Sequence, residues 1–397
     1  MDVLIRGKQL IQAADRGVRA DAVLFVRNGI IDAIGKDAEL RATAGTRVID
    51  LKDSTMAPGL IDSHVHLIWS GKKNALFDAI GKTTAELTDQ ATTNMQVALS
   101  RGVTTVRDCG GIREVVIPLA RAVETGSVRG PRIVTCGAPI TSRRGHCWFL
   151  QCEAEGTGEV RRAAGEMIEA GADFIKVMVT GGGSTPGTDT RASQYSIEEL
   201  RGLASVAHES GLTLTGHVHG TEGIERALEA GFDGLEHCTW LGRHDHGIDY
   251  RPDSAKRIAD NGVYVCKTLA GFQRLPMEEQ YREHPVWEEL RTMRAMREAG
   301  VQFIAGTDAG IDLTDFTGLN TTMETMVAAG GMSAAAAFAS ATEVAAQALG
   351  LGDTIGTLEV GKVADCIALD GNPLEDIRAL RRVHTVMRSG EVVARKE

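Results

Sequence analysis

The chain has 397 residues and a formal net charge of −10, with shares of apolar and charged side chains ordinary for a globular protein. That length exceeds the roughly 250 residues of a single α/β barrel, so about 150 remain for a second unit or for insertions. The acidic balance excludes a nucleic-acid footprint, which would be basic, and Arg143-Arg144 and Arg381-Arg382 are isolated pairs.

In chain order, the first 57 or so residues read as β-rich. The apolar run 22–26 is followed by Arg27-Asn28-Gly29 and a second run, 30–35, which predicts a hairpin turning on Asn-Gly. The middle then alternates: short β-branched runs are each followed by Ala/Glu/Arg-rich stretches with helical spacing, the βα pattern of a parallel fold. Strands are expected to end near His66, Asp108, Ala138, Thr180, His217, His237, Leu269 and Asp308, with helices over 221–230, 287–299 and 333–349. After 355 the texture returns to short strands, at 363–369, 384–387 and 390–393. The expected architecture is therefore α/β: a (β/α)8 TIM-like barrel over 58–354, with a small β-sandwich built from both termini, 1–57 and 355–397. No stretch approaches the ~20 apolar residues of a membrane span. The opening MDVLIRGKQLIQAADRG is interrupted by charge as a signal peptide is not. Seven cysteines without a CxxC pair suit reduced thiols, so a soluble, cytoplasmic protein is expected.

The strongest local signal is Pro58-Gly59-Leu60-Ile61-Asp62-Ser63-His64-Val65-His66. Residues i and i+2 of a strand share a face, so His64 and His66 project together, as two ligands of zinc or a similar ion would. HxH also occurs by chance, so the ligand reading needs company. Lys176 supplies it. In the run 173–179, Ile175, Val177 and Val179 suit the helix-facing side, which leaves Lys176 pointing inward, where lysine is almost never buried unpaired. As a neutral amine it can take up carbon dioxide and become a carbamate, an anion able to bridge two metals. The alternative is a strand-end lysine snorkelling to solvent. His217 and His237 end two further strands, and Asp308 ends another. Any one of them alone reads equally as a satisfied core histidine or a helix-capping aspartate. Together they fall at C-terminal strand ends, where barrel enzymes place their sites.

In order, HxH, FIKVMVTGG, HVHG, EHC and AGTDAG resemble the amidohydrolase superfamily in its binuclear-metal subtype. The tail segments ATEVAAQALGL, GTLEVGKVAD and Asn372-Pro373-Leu374 are similar to it as well. The branch it looks most like is the imidazolonepropionase-like one, with its Xaa-Pro and Xaa-Arg/Lys dipeptidases. The resemblance implies that His64, His66 and Asp308 hold one divalent ion, His217 and His237 the other, both of them zinc, and that carboxylated Lys176 bridges them. A bridging hydroxide would attack the amide, and Asp308 would carry its proton to the leaving amine.

Weaker candidates surround that set. His146, in Arg144-Gly145-His146, falls where relatives carry a Gly-His element near the substrate, and is otherwise a loop histidine. His219 would steer substrate, take part in catalysis, orient a ligand, or only start a helix. The glycine-rich stretch 180–187 reads as a loop over the pocket and not as a phosphate loop, since no GK[ST] follows. Asp108 reads as a helix cap, His244 and His246 as an exposed pair, and Cys147 and Cys152 as bystanders. Two departures bear on substrate. Trp240 stands where dipeptidases of this branch carry a substrate-contacting tyrosine, and Lys267 would either pair with an acidic substrate group or lie exposed. The resemblance implies hydrolysis of a peptide-like or N-acyl amino-acid amide, on a small-molecule or short-peptide substrate. Cyclic-amide hydrolysis and heterocycle deamination stand as alternatives, weakened by Lys176, and an inactive interaction protein is disfavoured by the full ligand set. Homo-oligomers are common in this family, but the sequence carries no interface signature.

Overall fold

A computed structural model describes residues 2–243, 247–271 and 285–395. His244 and His246 therefore lie outside the described residues. The middle of the chain carries parallel strands in two sets. Leu60–Val65, Val103–Asp108 and Arg132–Thr135 form a three-stranded sheet with the second strand central. Ile175–Met178, Leu214–Gly220, Gly234–Leu241, Tyr264–Thr268 and Phe303–Gly306 form a five-stranded sheet in chain order. Isolated parallel bridges, Val65 with Ala309 and Ile140 with Val177, run between the two sets.

Helices intervene between the strands, and their ends follow from local chemistry. Thr84–Ser100 and Ile197–Glu209 each begin on a reciprocal cap, Thr83 with Glu86 and Ser196 with Glu199. Gly156–Ala170 and Thr221–Ala230 each end on a left-handed glycine, Gly171 and Gly231. Ile175, Val177 and Val179 pack into the main apolar core beneath these helices, and Lys176 takes the opposite face.

Two expectations need correction. The third strand stops at Thr135 rather than near Ala138, because the chain turns at Gly137, which has φ 69°. The helix expected over 333–349 is two, Ala334–Ala339 and Glu343–Ala348. Between them the carbonyls of Ser340 and Ala341 accept from Ala305 N and Ile61 N, tying the break to two strands. The Thr342 hydroxyl donates to the Phe338 carbonyl at 2.8 Å, a local bond that competes with continuing the helix.

The terminal segments form two more sheets. Ile30–Ile34, Val23–Arg27, Asp2–Arg6 and Arg47–Asp50 make a four-stranded one in that order. Its hairpin turns on Asn28 and Gly29, both with positive φ, as Asn-Gly favours. A six-stranded sheet combines the two ends of the chain: Thr55–Pro58 pairs with Cys366–Leu369, which pairs with Val383–Arg388. Ile5, Leu24 and Val26 of the first sheet and Leu10, Met56, Cys366 and Met387 of the second share one apolar cluster. Among the described residues, no helix is long and apolar enough to cross a membrane.

Candidate metal centre

The C-terminal ends of the parallel strands converge on a cavity of about 280 Å³. His66 enters it just past the first strand, with His64 of that strand beside it. Glu236 Oε2 lies 2.7 Å from His64 Nδ1, and the Gly110 carbonyl accepts from His66 Nδ1 at 2.8 Å. In both rings this leaves Nε2 for Asp308, 3.4 and 3.3 Å from one of its oxygens. One donor atom each from His64, His66 and Asp308 lies within 4.8 Å of the others, and the same holds for His217, His219 and His237.

Two of these residues reach the cavity only through unusual backbone. His237 follows Glu236, so strict alternation would put its ring on the far side of the sheet. Its φ of 65° breaks the alternation, beside a register shift between Val218 and Gly220, and turns the ring inward. Asp308 likewise has φ 60° and donates its backbone N–H to the His64 carbonyl at 2.8 Å. Left-handed non-glycine residues cost about 1–3 kcal/mol each and concentrate at functional sites.

The electrostatics suit cation binding. Burial lowers His64 and His219 to about 4 and pushes His217 and His237 well below the ordinary imidazole range. At neutral pH these rings are uncharged, the form that binds a metal. Burial acts to raise Asp308, but the histidines around it, His64 first, hold its carboxyl well below the usual range. Lys176 is 1% exposed, lines the cavity, and its Nζ has no hydrogen-bond partner among the described residues. An amine buried this way is costly without compensation. Bare ring nitrogens, a carboxylate and an orphaned amine facing one cavity are a donor set that fits divalent ions.

The model of the amidohydrolase family matches residues 55–393. This chain belongs to the amidohydrolase family. It is 28% identical to ochratoxinase of Aspergillus niger over 412 residues, covering 92% of this chain and 81% of that one. It is 26% identical to imidazolonepropionase of Geobacillus kaustophilus, covering 96% and 92%. Among solved structures it resembles a Xaa-Pro dipeptidase with methionine bound in its active site, at 30% identity and a TM-score of 0.87, covering 99% of this chain and 100% of that one.

The remaining candidates of this amidohydrolase divide into those at the cavity and those away from it. His146 is buried at the wall, its ring 4.4 Å from that of His217 and its Nδ1 2.9 Å from Thr185 Oγ1. The glycine-rich loop lies against it: a Cβ on Gly182 would fall 2.3 Å from the His146 ring, and Gly183 and Ser184 line the cavity. Cys147, expected to be a bystander, also lines it, whereas Cys152 packs in the core.

Trp240 does not line the cavity. It is 0% exposed, packed edge-on against Tyr250, with Nε1 donating to Met296 Sδ at 3.2 Å. A position after a left-handed turn cannot be assigned to a face by counting from His237. Lys267 is neither exposed nor open to substrate: at 1% exposure its ammonium donates to the carbonyls of His237 and Cys238 and to Glu289. It anchors the backbone that turns His237 inward and holds Glu289 at the cavity wall. Asp108 is no helix cap, since the next helix starts after Ile112. It accepts instead from the N–H groups of Leu67 and Gly110, fixing the loop whose carbonyl takes His66.

Sequence reasoning missed Glu236 and Arg107. Glu236 is fully buried and accepts from Arg107 Nη2 at 2.7 Å, Thr215 Oγ1 at 2.6 Å and His64 Nδ1. Burial would raise its pKa, but Arg107 and these hydrogen bonds hold it well below the carboxylate range. The signal was available. A glutamate inside the buried strand GLEHC calls for the same explanation as a lysine inside FIKVM.

Proposed function

We propose that this amidohydrolase holds two divalent ions, zinc in both places, and hydrolyses the amide of a peptide-like or N-acyl amino-acid substrate. The observation that carries this reading is the orphaned Lys176 amine among convergent, uncharged imidazoles and the Asp308 carboxylate. As a carbamate, formed from carbon dioxide with loss of a proton, Lys176 would bridge the ions. His64, His66 and Asp308 would hold one, and His217 and His237 the other. The same reading takes the parallel strands as one closed (β/α)8 barrel over 58–354, and the terminal sheets as a β-sandwich domain from 1–57 and 355–397.

Ions in these places would acidify a water and polarise the substrate carbonyl. The chain's own groups do the rest. Asp308 accepts the proton of the attacking water and passes it to the nitrogen of the leaving amine as the C–N bond breaks. His146 meets the substrate beneath the glycine-rich loop, which excludes water. Trp69, Leu76, Met178 and Ile311 form an apolar wall for a side chain or acyl group.

Glu236 orients His64 from behind, an outer partner of the kind whose loss weakens metal binding roughly 10–100-fold. Glu236→Gln is expected to release zinc to a chelator at a correspondingly lower chelator concentration, with circular dichroism confirming that it folds. The reading as a whole is tested by metal analysis together with a screen of dipeptides, N-acyl amino acids and cyclic amides for released amine. Two equivalents of zinc and turnover of the first two classes are expected. One equivalent, or turnover confined to cyclic amides, would overturn it.

A further inference from the structure

We infer that His219 is a third imidazole ligand of the ion held by His217 and His237, an inference that rests on the two-ion reading above. His217 and His219 are two residues apart on one strand and so share a face. The His219 ring lies parallel to that of His237 at 4.8 Å and edge-on to that of His217 at 4.6 Å. One ring nitrogen from each of the three lies within 4.8 Å of the other two. From a triangle of that size, each nitrogen needs to move by less than about 1 Å to reach the ~2.0–2.1 Å of a zinc–nitrogen bond.

Hydrogen bonding occupies one nitrogen of each ring. The Thr239 hydroxyl donates to the His219 carbonyl, so toward the ring it accepts, at 2.9 Å from Nδ1. That puts the ring hydrogen on Nδ1 and leaves Nε2 bare. In His217 the Gly181 carbonyl, 3.3 Å from Nε2, leaves Nδ1 bare by the same logic. His237 Nδ1 meets Thr268 Oγ1 at 2.8 Å, so Nε2 is its other ring nitrogen. Each ring is thus held from behind by an oxygen, the arrangement of metal-ligating histidines. The helix-start role is not taken up: Thr221–Ala230 begins after Gly220 with no side-chain cap.

Three imidazoles are a complete protein ligand set for zinc. With His219, each ion would have three protein ligands besides the carbamate: His217, His219 and His237 in one place, and His64, His66 and Asp308 in the other. Both ions would then be retained without Lys176, whereas a two-histidine site would lose its ion along with the carbamate.

The test is zinc stoichiometry under chelator titration, with the visible spectrum of the cobalt-substituted protein as a second readout. Wild type should hold two equivalents. His219→Ala and His219→Asn should each surrender one of them at a chelator concentration at least about tenfold lower, with a changed cobalt spectrum. Thr239→Val, which removes the hydroxyl that accepts behind the ring and donates to the His219 carbonyl, should fall between and covers the case of His219 variants that do not fold. Lys176→Ala should keep two equivalents, and Lys176→Ala/His219→Ala one. His219 variants with wild-type chelator resistance and an unchanged spectrum overturn the assignment, even if turnover falls, since His219 would then act on substrate. A wild-type protein holding fewer than two equivalents overturns the two-ion reading itself, and this inference with it.

Discussion

Replacing Lys176 by alanine is expected to lower kcat/KM by ~10³-fold or more, about 4 kcal/mol of transition-state stabilisation. The size of the effect follows from where the amine sits. Nothing among the described residues satisfies its Nζ, and it is almost wholly buried. A lysine retained there for packing alone would be an unusual expense, because its desolvation has no compensation. A carbamate gives the position a purpose: two oxygens, one negative charge and the reach to serve two ions. The alanine variant leaves a small vacancy beside the cavity, and short carboxylic acids such as formate or acetate carry the missing functional group. Adding them at millimolar concentration should restore part of the lost rate, and longer acids should not. Assays of the purified variant with and without these acids, with its zinc content measured in parallel, check the outcome. Wild-type-like turnover in Lys176→Ala would end the carbamate assignment.

Much of this site was legible because its chemistry violates the rules of a buried strand. A lysine in FIKVM, paired histidines after PGLID and an aspartate after FIAGT all stand where the apolar interior of a parallel α/β fold would not place them. What periodicity could not supply was the backbone at the strand ends. The left-handed residues His237, Cys238 and Trp240 interrupt alternation within one strand. His237 therefore faces the cavity while Trp240 turns into the core. Lys267 was unreadable for a related reason. Its partners are Glu289 and the carbonyls of His237 and Cys238, which sit in that irregular turn. The broken helix near residue 340 shows the same limit at larger scale. Its sequence has helical spacing throughout, and it stops because two strands claim its carbonyls. Glu236 differs from these cases. It needed no geometry to be noticed, only the recognition that a buried carboxylate must have a cation and hydrogen-bond donors, here Arg107, Thr215 and His64.

Asp308→Asn should separate the binding of the site from its proton transfer. The amide keeps the shape of the carboxylate and one oxygen for a cation, but it cannot accept a proton from water or return one to a leaving amine. Loss of a positioned general acid–base group costs typically ~10²–10⁴-fold. That loss is expected in kcat, with KM changed only a few-fold, because the Asp308 oxygen faces His64 and His66 rather than the apolar wall. Leaving groups discriminate further. An alkyl amine must be protonated as the C–N bond breaks, whereas a nitroanilide departs with far less help. If Asp308 delivers that proton, the deficit of Asp308→Asn should shrink by about tenfold or more on anilide substrates. Metal analysis of the same preparation keeps the two duties apart, since a variant that has lost an ion reports on ligation and not on proton transfer. An Asp308→Asn enzyme with both ions bound, and kcat within tenfold of wild type on an alkyl amide, would assign the proton to another group. His146 would then be the first to replace, since its ring lines the same cavity.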